Sequence, residues 1–160
     1  MHDYVILTDT RQQKEEHIIK EFDKQNILHF RTTLSTGDYM ILRYSEDIGM
    51  YLDYSTIIDT KKDILEIAGN LCHSSEHQRI LREIQRAKDL GCKNFIFLIN
   101  SGKVQTMEDL ENWSSTKTKV KGSTLIKIFR TMSQKYGVKF ILVPKKCMGK
   151  KIIELLEVFE

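Results

Sequence analysis

The sequence predicts a mixed α/β fold, in which one sheet is flanked by helices. An apolar hairpin is followed by alternating helical and strand patterns, an order typical of such sheets. The run Phe95–Ile99 is entirely apolar and bounded by polar residues, as in strands that are buried on both faces. The 160 residues, 41% hydrophobic and 29% charged, suit one globular domain, so we expect a single domain over residues 1–160.

The first predicted elements are a strand, a helix and a short strand. Tyr4–Leu7 form the apolar strand. Thr10 and Gln13 have the spacing of a capping box, which predicts a helix from there to about residue 25. A short strand follows near His29–Thr33. Asp9 is thus placed between a strand and a helix, where open α/β sheets tend to bind ligands.

A β-hairpin and two helices come next. Tyr39–Tyr44 and Met50–Thr60 are the hairpin strands, joined by the polar turn Ser45–Gly49. The following apolar residues recur at helical spacing, at Ile64, Leu65, Ala68 and Leu71. A second helix is predicted to begin at Ser75, with Gln78 completing another capping box.

The rest of the chain alternates in the same way. After the buried strand we predict a short helix, a loop, a helix and a strand, at Met107–Trp113, Ser114–Ser123, Thr124–Tyr136 and Val138–Val143. A final amphipathic helix completes the fold. The loop is small, polar and basic.

Basic residues are concentrated in the second half of the chain. Trp113–Lys151 contains ten Lys and one Arg without any Asp or Glu, whereas residues 1–112 carry a net charge of −5. A single exposed lysine is ordinarily only solvated, but a block of this length favours a surface that faces a polyanion. The candidates for DNA phosphate contacts are Lys117, Lys119, Lys121 and Lys127. RNA and an acidic protein are alternative partners, and Trp113 is more simply a core residue than a base-stacking one.

The cysteines and the hydropathy exclude other classes of protein. The three cysteines are widely separated and form no C-x-x-C pair, which argues against a disulfide framework or a zinc ribbon. Cys72, His73 and His77 are an alternative zinc set, but a helix start at Ser74-Ser75 would separate them. No apolar run is long enough to span a bilayer and no leader peptide is evident, so we expect a cytoplasmic protein without membrane contact.

Asp38, Asp59 and Lys61 are the residues with the clearest chemistry. Strand side chains alternate, so Asp59 and Lys61 project to one face, while the backbone carbonyl of Thr60 stays near. The hairpin turn brings Asp38 opposite positions close to Asp59. Two carboxylates are typical of a Mg²⁺ or Mn²⁺ site, and a neighbouring lysine can position water or neutralise a phosphoryl group. An aspartate two residues before a lysine is common in proteins. The prediction of phosphodiester hydrolysis therefore depends on the expected approach of Asp38 to Asp59 and Lys61.

The order of these motifs resembles the XPF-type structure-specific endonuclease domain. The matching segments are T-D-T-R at Thr8–Arg11, T-L-S-T-G-D-Y at Thr33–Tyr39, I-D-T-K-K-D at Ile58–Asp63, and Glu76–Arg79. This family belongs to the PD-(D/E)XK superfamily, so the resemblance implies a restriction-endonuclease-like fold and DNA repair or recombination as a setting.

The resemblance also implies roles for residues. Asp38 and Asp59, with Thr60, would bind the metal, Lys61 would be the catalytic lysine, and Asp9 a supporting acid. Arg11 and Gln78 match positions around the active-site cleft, and Arg79, next to Gln78, is a further candidate for DNA binding. Relatives often pair through this domain, so a homodimer or a hetero-partner is expected.

Three departures from the family pattern stand out. Gln12 replaces a glutamate, Asp59-Thr60-Lys61 replaces Glu-Arg-Lys, and Asp63 follows the lysine by two residues instead of four. A tandem helix–hairpin–helix domain has no room in this length. We therefore expect a small metal-dependent DNA endonuclease, with a non-catalytic nucleic-acid-binding or dimerisation module as the alternative. The brevity and the Lys/Ile-rich composition suit a phage or mobile element, which would place the protein in the host cytoplasm.

Overall fold

A computed structural model describes residues 3–12 and 15–158. Within them, six strands form one sheet in the order β2-β1-β3-β4-β5-β6. The strands are β1 Tyr4–Asp9, β2 His29–Thr32, β3 Tyr39–Ser45, β4 Gly49–Lys61, β5 Asn94–Asn100 and β6 Lys139–Val143. The helices are α1 Glu16–Lys24, α2 Ile64–Cys72, α3 Ser74–Asp89, α4 Met107–Glu111, α5 Gly122–Tyr136 and α6 Met148–Glu157, with a short 3₁₀ turn at Lys145–Cys147.

The strand directions place one edge of the sheet at the centre of the site. β3 is antiparallel to both β1 and β4, whereas β1 pairs in parallel with β2 and β4 pairs in parallel with β5, as β5 does with β6. Five strands therefore end at the edge where β3 begins. Asp9, Asp59 and Lys61 lie at this carboxyl edge, and Asp38 lies directly before β3.

Helices cover both faces of the sheet, which confirms the predicted mixed α/β fold. One core contains α2, α3 and α5, and the other contains α1 and α6. The strand β5, which lies between β4 and β6, contributes Phe95, Phe97 and Ile99 to the first core and Ile96 and Leu98 to the second. This strand is buried on both faces, as its unbroken apolar run predicts. No helix in the described part of the chain is long and apolar enough for a membrane span.

The start of α1 differs from the prediction. The helix begins at Glu16, while Thr10 and Arg11 form a turn; Gln13, the partner in the predicted capping box, lies outside the described residues. Glu15 instead accepts a hydrogen bond of 2.5 Å from the hydroxyl of Tyr39 and pairs with Arg31. Contacts between Glu15 and the sheet therefore determine where α1 begins, although the local capping pattern predicts an earlier start.

Two further helix starts also differ. α3 begins at Ser74 without a side-chain cap, so the capping box predicted at Ser75 and Gln78 is wrong. α5 begins at Gly122, two residues before the predicted start, because its N–H donates to the carbonyl of Trp113 at 2.8 Å. A Cβ at position 122 would lie 1.7 Å from the carbonyl oxygen of Leu110, so this close approach requires glycine.

Candidate functional site

The end of β4 buries three polar residues in a row. Asp59, Thr60 and Lys61 are only 7%, 9% and 6% exposed. Asp59 and Lys61 project to the same face, where Lys61 Nζ lies 3.6 Å from Asp59 Oδ2 and 5.9 Å from the centre of the Phe97 ring. The sheet thus holds a charged pair in a position that apolar side chains would otherwise fill.

Asp38 is held beside this pair by the backbone. Its N–H donates to the carbonyl of Ile58 at 2.8 Å, and its carbonyl accepts from the N–H of Asp9 at 2.9 Å. Gly37 before it has a φ of +72°, and a Cβ there would lie 2.3 Å from Cγ2 of Ile57. The glycine of the G-D-Y motif is therefore needed so that Asp38 can reach the end of β4.

The carboxyl groups of Asp38 and Asp59 lie close enough to influence each other. Burial, the charge of Asp59 and a hydrogen bond with its carboxyl group raise the pKa of Asp38 well above its usual value. Hydrogen bonds from Thr60 N–H at 2.8 Å and from Thr60 Oγ1 at 3.0 Å act in the opposite direction. The structure thus brings two repelling carboxyl groups together in a poorly solvated position.

This donor set fits a divalent cation. The carboxylates of Asp38 and Asp59 are hard oxygen donors, and a dication would offset the repulsion between the two acids. Among residues 3–12 and 15–158, no group of three or more His, Cys, Asp or Glu side chains could hold a metal. The alternative zinc set at Cys72, His73 and His77 therefore gains no support. Two carboxylates remain compatible with Mg²⁺, which usually keeps several waters.

Asp9 is buried at the same edge, but its carboxylate is already engaged. It accepts hydrogen bonds from Arg11 Nε at 2.8 Å and from the N–H of Leu34 at 2.9 Å. Burial alone would raise the pKa of Asp9, but these hydrogen bonds outweigh it and lower the pKa. Arg11 also donates to the carbonyl of Leu34 at 2.9 Å. Asp9 and Arg11 therefore hold the segment that leads to Asp38.

A third carboxylate near the pair, Glu83, was missed in the sequence. It lies on α3, where Arg79 Nη2 is 2.8 Å from Glu76 Oε2 and Arg79 Nη1 is 3.9 Å from Glu83 Oε2. Burial and the charge of Asp59 raise the pKa of Glu83, and its Oε2 is buried without a hydrogen-bond partner among the described residues. Glu76, Arg79 and Glu83 recur at i, i+3 and i+7, a charged stripe that could have signalled this face.

The other predicted DNA contacts are arranged more loosely. Gln78 is exposed on α3. Lys117, Lys119 and Lys121 are exposed in the connection between α4 and α5, and Lys127 is exposed on α5. The chain leaves β5 at the carboxyl edge that also carries Asp59, and α4 comes before this basic segment. Trp113 packs against the core beneath α2, α3 and α5, as the simpler interpretation expects.

Comparisons with known proteins show the family and the fold of the chain. The chain matches the ERCC4 domain family over residues 8–147. Its fold is similar to the solved structure of XPF from Aeropyrum pernix, with a TM-score of 0.65 and 14% sequence identity. The similarity covers 94% of this chain and 64% of that protein. No curated protein matches the sequence.

Proposed function

Since the chain belongs to the ERCC4 domain family, a family of nucleases, we propose that it is a metal-dependent DNA endonuclease that hydrolyses phosphodiester bonds. The observation that carries this proposal is the burial of Asp59 and Lys61 at the carboxyl edge of the sheet, with the partly buried Asp38 held beside them. Buried charges reduce stability unless they are compensated, and such groups cluster at functional sites.

Each residue of the group has a role in the proposal. Asp38, Asp59 and the carbonyl of Thr60 would hold Mg²⁺ or Mn²⁺, which when bound lowers the pKa of water and stabilises charge on phosphorus. The ammonium group of Lys61 would orient the attacking water or neutralise charge on the phosphoryl oxygens. Asp59 holds that ammonium group in place. The water oxygen bonds to phosphorus, and the P–O bond to the departing strand breaks.

The binding surface surrounds this edge. Arg11 and Arg79 are exposed beside the carboxylates, and both have a raised pKa because they bind Asp9 and Glu76, respectively, through hydrogen bonds. We propose that they contact DNA together with Gln78, Lys117, Lys119, Lys121 and Lys127. Branched or otherwise structured DNA is the proposed substrate, and a homodimer or a hetero-partner the proposed assembly. A cytoplasmic location is a further part of the proposal.

A non-catalytic nucleic-acid-binding or dimerisation module on the same fold is the alternative, because a fold does not guarantee activity. Such a module has no need to bury Asp59 and Lys61, whose desolvation is costly. Their retention in the structure favours the nuclease.

The test is cleavage of labelled linear, nicked, flapped and four-way DNA in Mg²⁺, Mn²⁺ or EDTA. We expect metal-dependent products from wild-type protein and none from Lys61→Ala. Lys103→Ala is the matched control, because Lys103 is an exposed lysine that has no role in the site. Binding without cleavage by the wild type on every substrate would support the non-catalytic alternative. Equal cleavage by Lys61→Ala would contradict the role of this lysine.

A further inference from the structure

A second concave site opens on the opposite side of the end of β4. It is a cavity of about 400 Å³ on the side covered by α1 and α6. Its polar lining includes Arg11, Gln12, His17, Thr60, Lys62 and Lys145. These residues come from the segment after β1, from α1, from the end of β4 and from the 3₁₀ turn before α6, so the fold assembles the cavity from distant parts of the chain.

The cavity and the acidic pair share a wall. Thr60 Oγ1 donates to Asp38 Oδ2 at 3.0 Å and accepts from Gln12 Nε2 at 2.6 Å. Because successive strand residues project to opposite faces, Thr60 faces this cavity while the side chains of Asp59 and Lys61 project to the other side, although Lys61 also forms part of the cavity wall. A strand of nucleic acid that crosses the carboxyl edge would therefore meet both sites.

The lining of the cavity is strongly basic. Four basic residues of the described part of the chain line it. Lys61 forms an ion pair with Asp59 and Arg11 forms one with Asp9, so Lys62 and Lys145 are the two cations among them that remain for a ligand. Within residues 3–12 and 15–158, neither of these two ammonium groups has a hydrogen-bond or ion-pair partner. Glu66 is the acid in the lining, and its Oε1 accepts from the backbone N–H of Lys62 at 3.1 Å.

His17 adds a polar group without a partner. Its Nε2 is buried and makes no hydrogen bond to any described residue. Burial, followed by the nearby charge of Lys145, lowers its pKa, which keeps the imidazole neutral at neutral pH. A buried polar atom without a partner is unusual, and a ligand in the cavity would satisfy it.

We propose that this cavity binds a phosphate group of the nucleic-acid strand, next to the phosphate that is cleaved. Lys62 and Lys145 would contact the phosphate oxygens as point charges, and His17 and Gln12 would hydrogen bond to the same nucleotide. The volume is within the range of sites that hold small ligands, so it suits a nucleotide unit better than an ion alone. This inference rests on the proposed nuclease function, because it deepens the substrate contacts of that site. The phosphate is either a backbone phosphodiester or the monoester at a strand end.

The test compares the double variant Lys62→Ala/Lys145→Ala with Lys103→Ala/Lys146→Ala. Both pairs remove two exposed lysines, and Lys146 is the immediate neighbour of Lys145 but does not line the cavity. Binding of a flapped DNA with a 5′-phosphate, and of the same DNA with a 5′-hydroxyl, is measured in EDTA over a range of salt concentrations. Thermal melting verifies that both variants fold.

We expect the cavity variant to bind roughly tenfold more weakly than its control, with a salt slope reduced by about two for the two lost contacts. A loss confined to phosphorylated DNA identifies the terminal monoester, and an equal loss on both DNAs identifies the backbone phosphodiester. Equal affinity and slope of the two variants on both DNAs would overturn the proposal. Because EDTA prevents cleavage, an inactive wild type would refute the nuclease without affecting this result.

Discussion

The two halves of β4 differ in which side chains they expose. The outer half begins at Gly49, next to the hairpin turn, and exposes apolar side chains, whereas the inner half ends at Lys61 and buries charged ones. In the outer half, Met50 and Leu52 are 55% and 42% exposed, and Tyr44 pairs opposite Met50 on the neighbouring strand. In the inner half, Asp59 and Lys61 are buried. Burying apolar surface stabilises a protein and burying charge costs free energy, so stability alone would favour the reverse.

This contrast indicates that the residues of the inner half serve a function as well as the stability of the fold. The outer half extends to the exposed hairpin turn, where an uncovered apolar side chain costs the fold little. The inner half lies between two helix layers, where each buried charge must be compensated by a neighbour. Lys61 compensates Asp59, while Asp38 repels it. The inner half is therefore the part of the sheet where we place the chemistry.

The largest expected effect is on cleavage. Asp59→Asn keeps the shape of the side chain but removes the charge that attracts a dication and holds Lys61. We expect cleavage to fall by on the order of a thousandfold or more, while DNA affinity changes little. Single-turnover rates and fluorescence anisotropy measure the two quantities. Asp47→Asn, in the exposed hairpin turn, is the control and should cleave as wild type does. Parallel loss of binding and cleavage would contradict the assigned role.

The next effect is on stability, and it uses two glycines with similar backbones. Gly37 has a φ of +72° and Gly49 one of +78°, but a Cβ would collide with Ile57 only at position 37. Gly49→Ala should therefore cost about 1 kcal/mol for its backbone alone. Gly37→Ala should cost about 2–4 kcal/mol, because strain in the packed core is added. Chemical unfolding measures both. Equal losses would mean that the inner half is no more tightly packed than the outer half.

A smaller effect concerns the repulsion between the two carboxyl groups. Asp38→Asn can keep the hydrogen bonds from Thr60 and removes one of the two neighbouring acids. Without metal, we expect the free energy of unfolding to rise by about 1 kcal/mol, as it often does when a strained functional site is relieved. That gain corresponds to roughly 2–4 °C in melting temperature. A lower melting temperature in EDTA would show that the two acids do not oppose folding.

The smallest effect is expected in the outer half. Met50→Thr changes an exposed side chain in a strand and should alter stability by less than about 0.5 kcal/mol. Ile58→Ala, in the buried part of the same strand, is the comparison and should cost about 2–5 kcal/mol. Thermal melting measures the pair. A large loss from Met50→Thr would show that the hairpin end contributes to the core after all.

Local patterns were sufficient for most of the fold. The alternation of strands and helices, the unbroken apolar run of β5 and the left-handed glycine that ends α5 are properties of short segments. The start of α1 was missed because Glu15 is bound by Tyr39, a contact between residues 24 positions apart. Such tertiary contacts override a local capping pattern, and the sequence alone does not reveal them.

The candidate site shows the same limit. The convergence of Asp38, Asp59 and Lys61 at one edge could be predicted, because the hairpin pairing and the alternation of strand side chains are both local features of the sequence. The approach of Glu83 depends on how α3 rotates against the sheet, and the basic cavity depends on Lys145, which is far from Lys62 in sequence. The charge pattern predicts DNA contacts at Lys117–Lys121, whereas the cavity is lined by Lys145, which lies in a later part of the same basic block.

Binding of Mn²⁺ to the wild type, Asp59→Asn and Asp47→Asn shows whether the end of β4 holds a metal ion. Electron paramagnetic resonance counts the bound ion without DNA and independently of cleavage. We expect the wild type and Asp47→Asn to bind Mn²⁺ with equal affinity and Asp59→Asn to lose this binding. Undiminished binding by Asp59→Asn would contradict the claim that the buried inner half of β4 is the metal site.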